Sequence, residues 1–161
     1  MTLDAMMTAL YDDLLPWVEG KKGRLSVAKD PWNVLEILVN GPQGFQVILH
    51  WGGDSDVGEL PGEPMAENII EVIVGYSLGL QAKPDVALIK NQATRSSLLK
   101  HVNDVRARVL AYVFPAEETG ESLQYAGCEP LVTPDGIPLA AYKFRAKLTA
   151  RVEQEASRTA A

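Results

Sequence analysis

The chain has 161 residues, of which 47 % are hydrophobic and 22 % charged, and its formal net charge is −6. This length fits one domain, which buries roughly two thirds of its unfolded surface. The acidic balance argues against general nucleic-acid binding, and no apolar run reaches the roughly 18–20 residues that span a bilayer. The single Cys128 excludes an internal disulfide and a cysteine-based metal cluster. We therefore expect neither a membrane nor a specific nucleic-acid sequence as a partner.

The N-terminal segment predicts an amphipathic helix over residues 3–18 that ends before Gly20. Its apolar residues recur at helical spacing: Leu3, Met6, Met7, Leu10, Tyr11, Leu14, Leu15 and Val18. A basic linker follows, with Lys21-Lys22-Gly23-Arg24 and then Lys29-Asp30-Pro31, and it is expected to be a solvated loop.

The next segment predicts three strands. Residues 33–40 and 44–51 read as a hairpin around a turn at 41–44. An acidic loop rich in glycine and proline is expected over 52–64, followed by a long alternating strand over 67–80.

The second half of the chain predicts one helix and two strands. Residues 94–113 carry an apolar stripe at helical spacing, which Pro115 ends. A strand near 123–132, a tight turn at 133–136 and a strand over 139–152 follow. The last strand alternates an apolar face with a basic one, which is the period-two pattern of a half-buried strand.

The predicted order of elements is α-β-β-β-α-β-β, which favours an α+β fold. We expect one domain over residues 1–152, with a mostly antiparallel sheet of about five strands and two helices packed on one face. Residues 153–161 are polar and small, and we expect a frayed C-terminal tail.

Residues 75–79 match the G-x-S-x-G pattern of a serine nucleophile on a strand-to-helix turn. Strand alternation continues through Ser77, however, and no helical pattern follows it. We interpret Gly75, Ser77 and Gly79 as a small-residue patch that another segment approaches closely. A small serine hydrolase acting through Ser77 is the enzymatic alternative, and the sequence favours a protein without catalytic residues.

The acidic loop hints at a calcium site, through Asp54, Asp56, Glu59 and Glu63. Gly58 and Met65 stand at two positions where such a loop requires ligands. His50 and His101 have no metal-ligand spacing between them. We predict no metal site and no cofactor.

The basic face of the last strand has three interpretations. It is an ordinary solvated face, it pairs with acidic residues across strands or across a subunit boundary, or it contacts nucleic acid. The last is disfavoured because no aromatic residue interleaves the cations to stack bases. The second makes a candidate subunit interface of Glu67, Glu71, Lys143, Arg145, Lys147 and Arg151.

In the order of its elements the chain resembles the tail terminator (tail completion) proteins of long-tailed bacteriophages. The resemblance rests on the first helix (3–18), the long central strand (67–80), the second helix (94–113) and the closing hairpin, in which residues 125–130 lead into the strand 139–152. It implies a structural virion protein whose subunits form a ring, expected to be a homohexamer. Such a ring caps the tail tube and joins it to the head connector.

The resemblance also implies partners and a location. The expected partners are further copies of the chain, a tail tube protein and a head–tail connector protein, in the tail or neck of a virion assembled in the host cytoplasm. No functional residue is carried over from the family. Another neck or minor tail component, or a protein-binding module unrelated to phages, fits the same pattern.

Overall fold

The computed structural model describes residues 3–41, 44–60, 63–77, 88–91, 96–114, 123–133 and 139–151. Within them, side chains are described except at 56–60, 63–65, 77, 150 and 151. The main elements are α1 (Leu3–Gly20), β1 (Arg24–Val27), α2 (Pro31–Asn40), β2 (Phe45–Leu60), β3 (Glu63–Ser77), α3 (Leu98–Ala111), β4 (Gln124–Pro130) and β5 (Leu139–Arg151).

The five strands form one sheet in the order β1-β2-β3-β5-β4. β1 is parallel to β2, and every other neighbouring pair is antiparallel. The predicted α+β class with a mostly antiparallel sheet is therefore confirmed. The observed order of elements is α-β-α-β-β-α-β-β, so the predicted order lacked a helix.

α1 and α3 cover one face of the sheet, which we call the first face. α1 buries Met6, Leu10, Leu14 and Val18 against strand residues such as Val47, Val72 and Phe144. α3 begins after Ser97, whose hydroxyl accepts a hydrogen bond from the backbone amide of Lys100. Both predicted helices thus exist and contribute to one core. Part of the predicted span of α3, residues 94–95, lies outside the described residues.

The prediction of a strand over residues 33–40 is wrong, because this segment is the helix α2. The Asp30 carboxylate caps the helix by accepting a 2.8 Å hydrogen bond from the backbone amide of Asn33. Pro31 occupies the first turn, where its missing amide costs nothing. Val34 and Leu38, one turn apart, are buried on the second face of the sheet against Ile48 and Ile73.

The basic linker was also mispredicted as a loop throughout. Residues 24–27 form β1, which pairs with Gln46–Leu49 of β2. Leu25 enters the core of the first face, so a four-residue strand gains a buried anchor. Four residues are too few for an alternating pattern to be recognised in the sequence.

The expected acidic loop over 52–64 is mostly strand. β2 runs on to Leu60 and β3 begins at Glu63, with register shifts after Trp51 and after Asp56. Gly53, at φ 95°, lies inside the first irregularity. The glycines that suggest a loop are here compatible with bulges in a long hairpin.

Close approach at Gly75 confirms part of the predicted small-residue patch. A Cβ atom on Gly75 would lie 2.4 Å from Cδ2 of Leu38, so α2 sits directly on this glycine. Ala141 is the strand partner of Gly75 on β5. The side chain of Ser77, Gly79, most of the predicted turn at 133–136 and the tail at 153–161 lie outside the described residues.

Candidate functional site

The second face of the sheet carries a cluster of acidic and basic side chains, together with one histidine, next to the region under α2. We call it the charged face, and its members are His50, Glu67, Glu71, Glu129, Lys143, Arg145 and Lys147. Strand register brings them together: Glu71 stands opposite His50 on β2 and opposite Arg145 on β5. Glu129 on β4 stands opposite Lys143.

Glu71 is the centre of the charged face. Its Oε1 accepts a hydrogen bond from His50 Nδ1 at 3.0 Å, and its Oε2 lies 3.1 Å from Lys143 Nζ and 3.2 Å from Arg145 Nε. Burial, which leaves its side chain 12 % exposed, raises the pKa of Glu71. The hydrogen bonds from His50 and Lys143 and the charges of Lys143 and Arg145 outweigh that effect, so the pKa lies below its usual value.

Two further carboxylates complete the charged face. Glu129 Oε1 lies 3.0 Å from Arg145 Nη2 and 3.5 Å from Lys143 Nζ. Lys147 Nζ lies 2.9 Å from Glu67 Oε1. Among the described side chains, three carboxylates thus balance three cations of the basic strand. The outer members, Glu129, Arg145 and Lys147, remain more accessible to solvent than Glu71.

The structure gathers most of the candidate residues that the sequence suggests. Lys143, Arg145 and Lys147 pair with Glu67 and Glu71 across strands of one chain, as one of the three interpretations predicted. The backbone of Arg151 stands opposite Met65, and its side chain lies outside the described part. Whether these residues also contact a neighbouring subunit stays a prediction.

Sequence reasoning missed two members of the charged face, His50 and Glu129. Alternation along β2 places His50 on the same face as Ile48, which is the only signal the sequence offers. Which strand lies beside β2 or β5 is set by tertiary pairing across tens of residues, and no local pattern encodes it.

The catalytic and metal alternatives can be compared with the geometry. Ser77 is a strand residue of β3 that pairs with Leu139, so the backbone is extended at the position where a nucleophile turn would bend. Asp54 and Asp56 belong to β2 and pair with Asn68 and Ala66. In the described residues, no three His, Cys, Asp or Glu side chains cluster so that they would hold a metal ion.

His101 is a second titratable residue whose environment the sequence did not reveal. It is buried in α3 with its ring stacked on Phe45, the ring centroids 3.9 Å apart. Its Nδ1 has no hydrogen-bond partner within the described parts of the chain. Burial, aided by the charge of Lys21, lowers the pKa of His101 to about 4, against the opposing charge of Asp104. The ring is therefore neutral at pH 7.

Comparison with known protein families and with curated proteins identifies no relative of the chain. No protein-family model matches the chain, and a search of curated proteins finds no match either. Among the described helices, none is long and apolar enough to cross a membrane.

Proposed function

We propose that the chain is a structural subunit of a long-tailed bacteriophage, a tail terminator that assembles into a ring on the tail tube and joins it to the head connector. Support comes from the elements on which the resemblance rests, present as α1, β3, α3 and the antiparallel pair of β4 and β5, and from the α+β fold that the resemblance implies. The helix α2 is not part of the element order on which the resemblance was based. The observation that carries the proposal is the charged face, a surface of fixed, alternating charges with a solvent-accessible outer part.

Such a surface is suited to recognition between subunits. Exposed ion pairs contribute only about 0–1 kcal/mol to folding, so the outer pairs add little to the stability of the subunit. Complementary charge patterns instead select partners and fix the register of a contact. A closed ring uses a heterologous contact, in which one surface of a subunit meets a different surface of the next.

The test of this contact must spare the fold. Reversing Lys143 or Arg145 would remove a partner from the sheltered Glu71, and leaving a buried charge unpaired is strongly destabilising. Glu67 and Lys147 form a simpler pair. The double variant Glu67→Lys/Lys147→Glu keeps an ion pair within the chain and exchanges the sign that each position presents outward.

A matched control exists on the opposite side of the subunit. Asp13 and Arg108 join α1 to α3 at 3.0 Å, with side chains 24 % and 41 % exposed, against 26 % and 40 % for Glu67 and Lys147. The double variant Asp13→Arg/Arg108→Asp therefore alters a pair of equal accessibility that lies away from the charged face.

We expect light scattering of the unaltered chain to show a salt-sensitive oligomer with the mass of a hexamer, visible as closed rings by electron microscopy. The Glu67/Lys147 exchange should weaken assembly tenfold or more, about 1.4 kcal/mol, without changing the midpoint of thermal unfolding at concentrations where both proteins are monomeric. The control exchange should assemble normally. A chain that stays monomeric at high concentration and low salt contradicts the proposal.

A further inference from the structure

Within the described residues, the sheet ends in two edge strands, β1 on one side and β4 on the other. Both edges carry large apolar side chains that are about half exposed, Val27 on β1 and Tyr125 on β4. Edge strands present unpaired amides and carbonyls, and apolar residues beside them mark surfaces for pairing with another chain.

The two edges run in opposite directions. β1 is parallel to β2, and the antiparallel pairs that follow make β4 antiparallel to β1. If copies are related by rotation about an axis along the strands, strand directions are kept. The β4 edge of one copy then meets the β1 edge of the next in antiparallel orientation.

On the second face, the two edges have opposite charge. Arg24 stands opposite Gln46 and borders an open groove of about 270 Å³, whose other wall is the flank of α2 with Asn33, Glu36 and Asn40. Glu129 lies on the same face of β4 and is exposed. A strand added beside β1 would bring its second-face side chains to this groove.

On the first face, the edges match by apolar character. Leu25 belongs to the first-face core, so Val27, two residues on, lies on the same face. Tyr125 and Cys128 also lie on that face, opposite Ala146 and Phe144. Aligning Arg24 with Glu129 places Leu25 opposite Cys128, and the bulge between Cys128 and Tyr125 then brings Tyr125 to Val27.

We propose that β1 of one copy pairs antiparallel with β4 of the next copy, with Arg24 beside the neighbour's Glu129 on one face and Val27 beside its Tyr125 on the other. The inference rests on the proposed ring and adds an edge-to-edge pairing of strands to the subunit contact that the charged face makes. Two different edges meet, so the contact is head-to-tail, as a ring requires. The charged face of one copy then continues, through Glu129, to the α2 flank of the next.

Disulfide trapping tests this contact, because a disulfide forms only when the two Cα atoms lie within about 7 Å with suitably directed side chains. The test variant is Val27→Cys/Tyr125→Cys in a Cys128→Ser background. The control is Val27→Cys/Gln124→Cys in the same background, since Gln124 is exposed and lies on the other face, opposite Lys147. Circular dichroism and thermal unfolding verify that both variants fold.

After mild oxidation, we expect the test variant to give a ladder of covalent oligomers on non-reducing gels and the control to remain mainly monomeric. Rings of normal mass without the ladder would overturn the edge contact and leave the proposed function standing. A ladder from open filaments, without closed rings, would support the contact and contradict the capping function. Absence of any oligomer would contradict both.

Discussion

His101 lies in the interior of the subunit, stacked on Phe45 and 6.2 Å from the ring of Tyr76, with Lys21, Lys100 and Asp104 as the charged groups that influence it. Its pKa of about 4 is below the usual 6.5. The unfolded chain therefore binds a proton at His101 at a higher pH than the folded subunit does. Above about pH 6.5, His101 is neutral in both states and does not change the free energy of unfolding with pH. As the pH falls from 6.5 toward 4, the unfolded chain takes up the proton first, and the free energy of unfolding decreases.

We predict that the free energy of unfolding decreases by about 2 kcal/mol between pH 7.5 and pH 5 because of His101. Urea unfolding at both pH values measures it. The His101→Phe variant keeps a flat ring against Phe45 and removes the titration, so its stability should change much less over this range. An equal decrease in both proteins would assign the pH dependence to other groups.

Glu71 affects stability in a lower pH range. Its folded pKa lies below the ordinary 4.5, so its contribution is present above that value and is lost only as the pH falls through the lower folded pKa. The histidine and carboxylate contributions can thus be separated by measuring above and below pH 4.5.

At the scale of elements, α2 is attached to the sheet through the contact of Leu38 with Gly75. We predict that Gly75→Ala costs about 1–3 kcal/mol by overpacking, because its Cβ would lie 2.4 Å from Leu38 Cδ2. Leu38→Ala should cost about 2–5 kcal/mol through the cavity it leaves. The double variant should lose less stability than the sum of the two single losses, since the new methyl group enters that cavity.

Denaturant unfolding of the four proteins in this double-mutant cycle measures the coupling. Gly20→Ala is the control, because a Cβ there meets no atom within 4 Å, and its effect should stay within about 0.5 kcal/mol. Additive effects of Gly75→Ala and Leu38→Ala would show that α2 does not depend on the close approach.

The sequence predicts elements well where one side of the element is apolar and the other is not. α1, α3 and β5 have this contrast, and their existence and general position are confirmed. α2 lacks it because its outward side is also apolar, with Trp32 77 % exposed. The signal for a helix there is Asp30 followed by Pro31, which the prediction places in the basic linker. The charged face was found in part, because alternation places residues on a face but does not say which strands are neighbours.

At the scale of the whole molecule, assembly and stability are linked by mass action. A contact made only by folded subunits stabilises them more as protein concentration rises. We predict that the midpoint of thermal unfolding increases with concentration for the unaltered chain, measured by calorimetry over a hundredfold range. The Glu67→Lys/Lys147→Glu variant should show this increase only at higher concentrations, and a flat dependence in the unaltered chain would contradict assembly in solution.

The packing of α2 on Gly75 and Ala141 also favours one register between β3 and β5. Alternation of apolar and polar residues excludes a slip of one residue, because every side chain would change faces. Alternation does not exclude a slip of two residues. The cations of β5 do not exclude it either, because they recur at every second position and another cation would then stand opposite Glu71. Beneath Leu38, however, a two-residue slip would break up the pairing of Gly75 with Ala141. The helix α2, which the sequence pattern did not predict, thus selects the register of β3 and β5, the two strands that the pattern predicted most clearly.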